Sequence, residues 1–535
     1  MSNRIAVNQL NGRHFDVIVI GGGINGAAGA QQLAARGHSV LLVDKGDFGS
    51  GSSSRSSRLL HCGLRYLAPG RSPWEFLTNP SRLATGMKMA RMAVGSRDEF
   101  IKTTPTRVQL AKLYFPIFRG GAYSGWQVDV AFKALGHFNR GKTPLNYCRI
   151  KGRDAHSIPL VNKLRNFDSL ESVACYDEYQ ISWPERVTVD IAIDAHRIGA
   201  ITLNYTRADL LERNAAGWQI GLQDTAGVGE ATVTATCVVN TAGIWIDQVF
   251  AKHRSGKPPK ILGTKGSHIV VCLPPECRGV GVATINRKNE PFYCLPWGDY
   301  HYIGPTELVY ENDLDDIRTT EVDREWLLGE ANHLFPTFNL TAKDVIFTWS
   351  GVRPLTWDAN LPAGNRNRVL HDLSDDGLRG VFAMTGGPLM THRSAGLEIA
   401  DAVSSQLAGL ATAPSAPHFA SSFPNLPPDE VFSALTGAVP APKWLKTMIE
   451  EEMIVHLSDA LLRRSGLPWF KKLEEADLDP IGRNIGSLLG WNENQVASEV
   501  ALCKAELAAL QSATPMCGVG ETQVPRRVAS ASAPS

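Results

Sequence analysis

The run Phe15-Asp16-Val17-Ile18-Val19-Ile20-Gly21-Gly22-Gly23-Ile24-Asn25-Gly26 constrains the fold more than any other stretch of the chain. A short apolar strand feeds directly into Gly-x-Gly-x-x-Gly, at Gly21, Gly23 and Gly26. A helical segment from Ala27 to Arg36 follows and stops at Gly37, and a second apolar run, Ser39 to Val43, ends on Asp44. Each part has a task in dinucleotide binding. Gly21 permits the tight turn, Gly23 lets the backbone approach a pyrophosphate, and Gly26 lets helix and strand pack closely. Ile24 and Asn25 open the helix, whose N-terminus favours phosphate. Asp44, eighteen residues after Gly26, is placed to accept hydrogen bonds from ribose hydroxyls. This unit leaves NAD and FAD equally open.

A chain of 535 residues has room for two or three domains. Its formal charge of +1 supplies no global field, so nucleic acid is not an expected partner. No apolar run is long enough to span a membrane. Residues Met1 to His14 lack the apolar core of a secretory signal, which points to the cytoplasm. The nine cysteines are scattered without a C-x-x-C pair, so reduced thiols and no metal site are expected.

Further along, strands are expected at Ser172–Asp177, Ala200–Asn204, Trp218–Leu222 and Ala231–Val239, with a helix at Val187–Ile198. Residues 67–150 read as helices and loops. A sheet-rich region follows, with strands at Ser267–Cys272, Phe292–Pro296, Tyr300–Gly304 and Val345–Trp349. Gly380–Thr385 is a further strand, and Gly386-Gly387-Pro388 opens a helix reaching about Leu407. The expected fold is α/β. A Rossmann-like cofactor domain (about 15–67, 150–260 and 350–410) interleaves with an antiparallel-sheet substrate domain (about 68–149 and 261–349). A Pro/Ala/Ser linker at 411–428, a helical domain at 429–511 and a disordered tail at 512–535 complete it.

The loop after the dinucleotide unit is dense in hydroxyls and cations: Ser52-Ser53-Ser54-Arg55-Ser56-Ser57-Arg58-Leu59-Leu60-His61-Cys62-Gly63-Leu64-Arg65-Tyr66. Here the chain resembles the flavin-linked glycerol-3-phosphate dehydrogenases, within the wider flavoprotein group that includes D-amino acid oxidase. The resemblance continues through Val239-Asn240-Thr241-Ala242-Gly243-Ile244-Trp245, Lys265-Gly266-Ser267-His268, Ile303-Gly304-Pro305-Thr306-Glu307, Trp349-Ser350-Gly351-Val352-Arg353-Pro354, Thr385-Gly386-Gly387, and His456 to Arg464. The blocks keep the family's order over roughly residues 15 to 490.

The resemblance implies FAD. The glycine loop would hold its ADP half. Ser53, Ser54, Ser57, Arg58, Leu60 and His61, with Ala242 and Gly243, would line its middle. Gly386, Gly387, Pro388 and Leu389 would lie against the isoalloxazine. It also implies oxidation of a phosphorylated polyol, with electrons passing to a quinone at a membrane surface or to another acceptor such as oxygen. Trp444, Lys446, Trp469, Phe470, Lys471 and Lys472 are candidates for docking on the inner face of the membrane, and a homodimer is left open. His268 is the leading general base, since an unperturbed histidine titrates near pH ~6.5. Arg353 is the anion anchor, a planar fork suited to phosphate or carboxylate. Arg65, Tyr66, His61, Lys265 and Thr306 are expected near the substrate.

Two departures stand out. Pro388 replaces a lysine that the family carries near the substrate phosphate, and Cys62 replaces a glycine. Arg393 or His392 is a candidate to supply the missing cation, or the substrate is a longer polyol phosphate, such as a four-carbon erythritol phosphate. The competing readings are an amine or amino acid oxidase, with Arg353 on a carboxylate, and a flavin-binding module without turnover.

Overall fold

The computed structural model describes residues 4–67, 80–362, 364–407 and 423–510. The first of its two large sheets grows outward from the strand His14–Ile20. Val40–Val43 lies on one side and Glu230–Asn240 on the other, both parallel to it. Ile201–Leu203 and Val381–Thr385 extend the parallel set at either end. The strands are apolar almost throughout because both faces are covered, as in parallel sheets generally. Val17, Val19, Val40 and Leu42 face the helices Ile24–Ala35, Pro184–Arg197 and His392–Gln406. Ile18, Ile20, Leu41 and Val43 face the hairpin Thr206–Asn214 and Gly217–Asp224.

Among the described residues the second sheet has ten strands. All four strands expected between residues 267 and 349 lie in it. It is antiparallel apart from one parallel pairing, Val280–Ile285 beside Val108–Phe118. The latter strand was not expected in the 67–150 stretch. Its outward residues Gln109, Leu110 and Lys112 and its internal Pro116 give no clean two-residue alternation. Leu59–Leu60 and Leu170–Ile181 also join this sheet, and Val345–Thr356 runs unbroken through residue 350.

Residues 423–510 form a helical layer that packs on the second sheet around Trp349, Trp469, Leu457 and Leu461. Most of the expected linker and the whole 512–535 tail lie outside the described residues. Trp469 is only 5% exposed and stacks against Trp297, so it is turned away from any bilayer. Lys471 and Lys472 pair with Asp429 and Glu474. Among the described residues no helix is long and apolar enough to cross a membrane. Among the described residues seven cysteines are free, but Cys272 is disulfide-bonded, against the expectation of reduced thiols throughout.

Candidate active site

A cavity of about 760 Å³ runs from the glycine loop of the first sheet to the strands of the second. At its first end, Gly21 has φ +105°, and a Cβ there would lie 2.7 Å from the carbonyl of Thr241. A Cβ at Gly26 would fall 1.9 Å from the Gly21 oxygen, so the helix can start this close to the strand only with glycine. Gly23 is the extended residue before the helix, and Ile24 N–H donates to Ser53 Oγ at 3.0 Å. The Asp44 carboxylate accepts from Gly22 N–H at 2.7 Å and Gly46 N–H at 2.8 Å. Burial pushes Asp44 up to about 6, with the charge of Asp47 adding and the two amides opposing. Gly23, Ile24, Asn25, Ala242 and Gly243 complete this end of the lining. The cradle of missing side chains and the terminal carboxylate fit an adenine dinucleotide.

The far end is built by two paired strands, Ile261–Val271 and Val345–Thr356, with Gly266 opposite Gly351 and His268 opposite Trp349. His268 is 1% exposed. Its Nε2 lies 3.0 Å from Ser57 Oγ, and its ring stacks on Trp349 at 4.7 Å. Thr306 Oγ1 accepts from Ser267 N–H at 2.8 Å and fixes this strand beside the cavity. Burial, then the cations of Arg353 and Arg58, hold His268 well below its ordinary value, so the ring is neutral at physiological pH. Nδ1 is buried without a hydrogen-bond partner.

Arg353 reaches the cavity over Gly266, where a Cβ would come within 2.3 Å of Nη2. Its Nη1 is also buried and unpartnered. Burial lowers Arg353 to about 10, with Arg366 and Arg65 adding to the effect and Glu307 opposing it. Such a cation is stabilised by an anion brought within reach. Arg65, Tyr66, Tyr293, Glu307 and Arg366 line the same end, and Arg366 pairs with Glu307. Ser57, Gly386, Gly387, Pro388 and Leu389 line the intervening wall.

Several expected residues lie elsewhere or act differently. Lys265 is outside the lining, its ammonium 2.5 Å from Asp323, where it ties the strand to the helix Glu321–Leu334. Arg393 is also outside, 3.7 Å from Glu99, and His392 is buried against Phe100. Ser54 bonds to carbonyls of its own loop, and Leu60 is core. Arg58 borders the cavity, but its guanidinium sits over Trp297 and Trp469 and bonds Glu185 at 2.9 Å. His61 lines the cavity with both ring nitrogens unpartnered, and burial lowers it to about 3. The Cys62 N–H donates to buried Glu178, itself pushed up by burial to about 7. Arg366 and Tyr293 went unnoticed in the sequence; the only signal was the basic loop Asn365-Arg366-Asn367-Arg368.

The FAD dependent oxidoreductase family model matches residues 16–402. The chain is 32% identical over 415 residues to a glycerol-3-phosphate dehydrogenase of Synechocystis sp., covering 75% of this chain and 71% of that protein. It is 29% identical over 415 residues to an aerobic glycerol-3-phosphate dehydrogenase of Staphylococcus haemolyticus, covering 76% and 70%. Its fold is similar to that of the glycerol-3-phosphate dehydrogenase from Bacillus halodurans complexed with FAD, with TM-score 0.70, 23% identity, and 94% and 96% of the two chains covered.

Proposed function

We propose that this chain, which belongs to the FAD-dependent oxidoreductase family and is kin to the glycerol-3-phosphate dehydrogenases, oxidises the secondary hydroxyl of a phosphorylated polyol to a ketone. The observation that carries this reading is the cluster of Arg65, Arg353 and Arg366 at one end of the cavity, with His268 beside it. Three guanidinium groups against one carboxylate, Glu307, suit a phosphate dianion better than the single charge of a carboxylate. Arg366 also offers the cation that Pro388 removes from the family's pattern.

The glycine loop and Asp44 would hold the nucleotide half of FAD, and Ser57 and Gly386–Leu389 the flavin side. FAD, when bound, supplies the hydride acceptor. Arg353 and its neighbours bind and orient the phosphate, which places the hydroxyl carbon. Neutral His268 takes the hydroxyl proton on a ring nitrogen, with Ser57 and Trp349 fixing the plane of the ring. The sequence holds a single dinucleotide motif, which favours a quinone over NAD as the next acceptor.

The test is anaerobic bleaching of the flavin by a substrate panel. Glycerol 3-phosphate or erythritol phosphate should bleach it. Bleaching by amino acids alone would remove the polyol-phosphate reading in favour of an amino acid oxidase, and a clear preference for glycerol 3-phosphate would remove the four-carbon one. A second expectation concerns the cofactor. Asp44 accepts from ribose most strongly as the carboxylate, and its proton returns as pH falls through about 6. FAD affinity should therefore be flat above pH 7 and weaken below pH ~6, because protonation replaces a charged acceptor with a weaker neutral one. A fluorescence titration of FAD at pH 5 and pH 8 giving equal affinity would show that Asp44 does not carry the ribose.

A further inference from the structure

The helices after residue 423 lie beyond the stretch matched by the family model, yet their charged side chains reach the cofactor loops. Asp47, three residues past Asp44, is 1% exposed. Its Oδ2 accepts from Arg463 Nε at 2.6 Å and from Arg464 Nη1. Its Oδ1 accepts from Arg464 Nη2 at 2.8 Å and from Asn204 Nδ2 at 2.9 Å. The two arginines are themselves fixed within the helical layer. Arg463 bonds Asp459 at 2.5 Å and Glu506 at 3.2 Å, and Arg464 donates to the Glu452 carbonyl at 3.0 and 2.8 Å. The Glu452 carboxylate in turn takes both ends of Arg186 at 2.6 and 2.7 Å.

From Asp47 the contacts run straight to the nucleotide end of the cavity. The next residue, Phe48, is fully buried, and its ring occupies the space a Cβ on Gly22 would need, 2.5 Å away. Gly49 N–H donates to the Gly22 carbonyl at 3.0 Å, and Gly22 N–H donates to Asp44. A second arm runs through Glu506, whose charge faces Arg55 in the serine-rich wall. Both arms are anchored in chain more than 400 residues distant, as the 416-residue separation of Asp47 and Arg463 records. Without its arginines Asp47 would be an uncompensated buried anion, driven to leave its site and take Phe48 with it.

We propose that Arg463 and Arg464 are positioning residues for FAD. By holding Asp47 they clamp the Asp44–Gly49 loop under the glycine loop, so the helical layer and the cofactor stabilise each other. Such coupling is reciprocal: docking of the helices tightens FAD, and FAD tightens the docking.

The test compares FAD release and melting for the holoenzyme and FAD-stripped protein of each variant. Arg464→Met should raise the FAD Kd about 2- to 30-fold, the range of coupling carried by such networks. It should also narrow the gap in Tm between the holo and stripped forms, because that gap tracks cofactor affinity. Arg464→Lys, which keeps the charge, should recover part of both. Lys504→Gln, which breaks an exposed pair with Glu475, should move neither. An unchanged FAD Kd, with both forms losing the same Tm, would mean the cluster is only a structural staple and would overturn the proposal. If Arg464→Met does not fold, Glu506→Gln decides the matter. Its side chain is 35% exposed, so the change is milder. Faster release of FAD supports the clamp, and unchanged release overturns it.

Discussion

His268→Ala should slow substrate-driven flavin reduction by about 10²- to 10⁴-fold, the usual worth of a positioned proton acceptor, while FAD stays bound. The two effects separate because the histidine sits at the second-sheet end of the cavity, whereas the glycine loop and Asp44 are at the other. The ring is held neutral by burial and by Arg353 and Arg58, and this sets the pH profile. A folded-state value well below 6.5 means that the proton-accepting form persists as pH falls past 6.5. The acid limb for reduction should accordingly lie clearly below that of an ordinary histidine. Rapid-mixing measurements without oxygen would follow flavin absorbance for both proteins from pH 5 to pH 8. A wild-type rate retained by His268→Ala would remove the residue from the proton-transfer role. Loss of FAD from the variant would instead assign it a part in holding the cofactor.

What was legible in the sequence was local. A strand, a glycine turn and a helix lie within one continuous segment, so their order alone specifies the first parallel unit. The blocks around His268 and Arg353 are equally compact, and pairing of Gly266 with Gly351 brings them together across the sheet. What escaped depended on contacts between distant segments. Arg366 enters the cavity because its loop is pinned by a bridge between Thr356 and Asn365, a link no periodicity announces. Arg58 reads as a phosphate ligand by position, but aromatic rings from three separate segments, Trp297, Trp349 and Trp469, draw its guanidinium inward. The same packing turns Trp469 from a surface anchor into core. Lys265 carries the right charge in the right block, yet Asp323 from a later helix takes it. Charge and spacing nominate residues; the partner that neutralises each charge decides which of them faces the cavity.

That distinction gives Arg353 the other large expected effect. Unlike Lys265, it has no committed carboxylate; Nη1 is buried without a partner, and nearby Glu307 is shared with Arg366. Arg353→Met should lower kcat/KM for the phosphorylated polyol by about 10²- to 10³-fold, the worth of a pair of charge-assisted hydrogen bonds in a dry site. Most of the loss should appear in KM, and inhibition by inorganic phosphate should weaken in parallel. Arg353→Lys should recover only part of this, since an ammonium on a flexible stem cannot reproduce the planar fork held over Gly266. The pH profile offers an independent check. Arg353 is one of the two cations that lower His268, so its removal should let the histidine rise toward its ordinary value. The acid limb would then move upward with Met at position 353 and stay nearer its original place with Lys. A loss of activity with no change in KM, phosphate inhibition or acid limb would show that Arg353 supports the fold of the paired strands and does not meet the substrate.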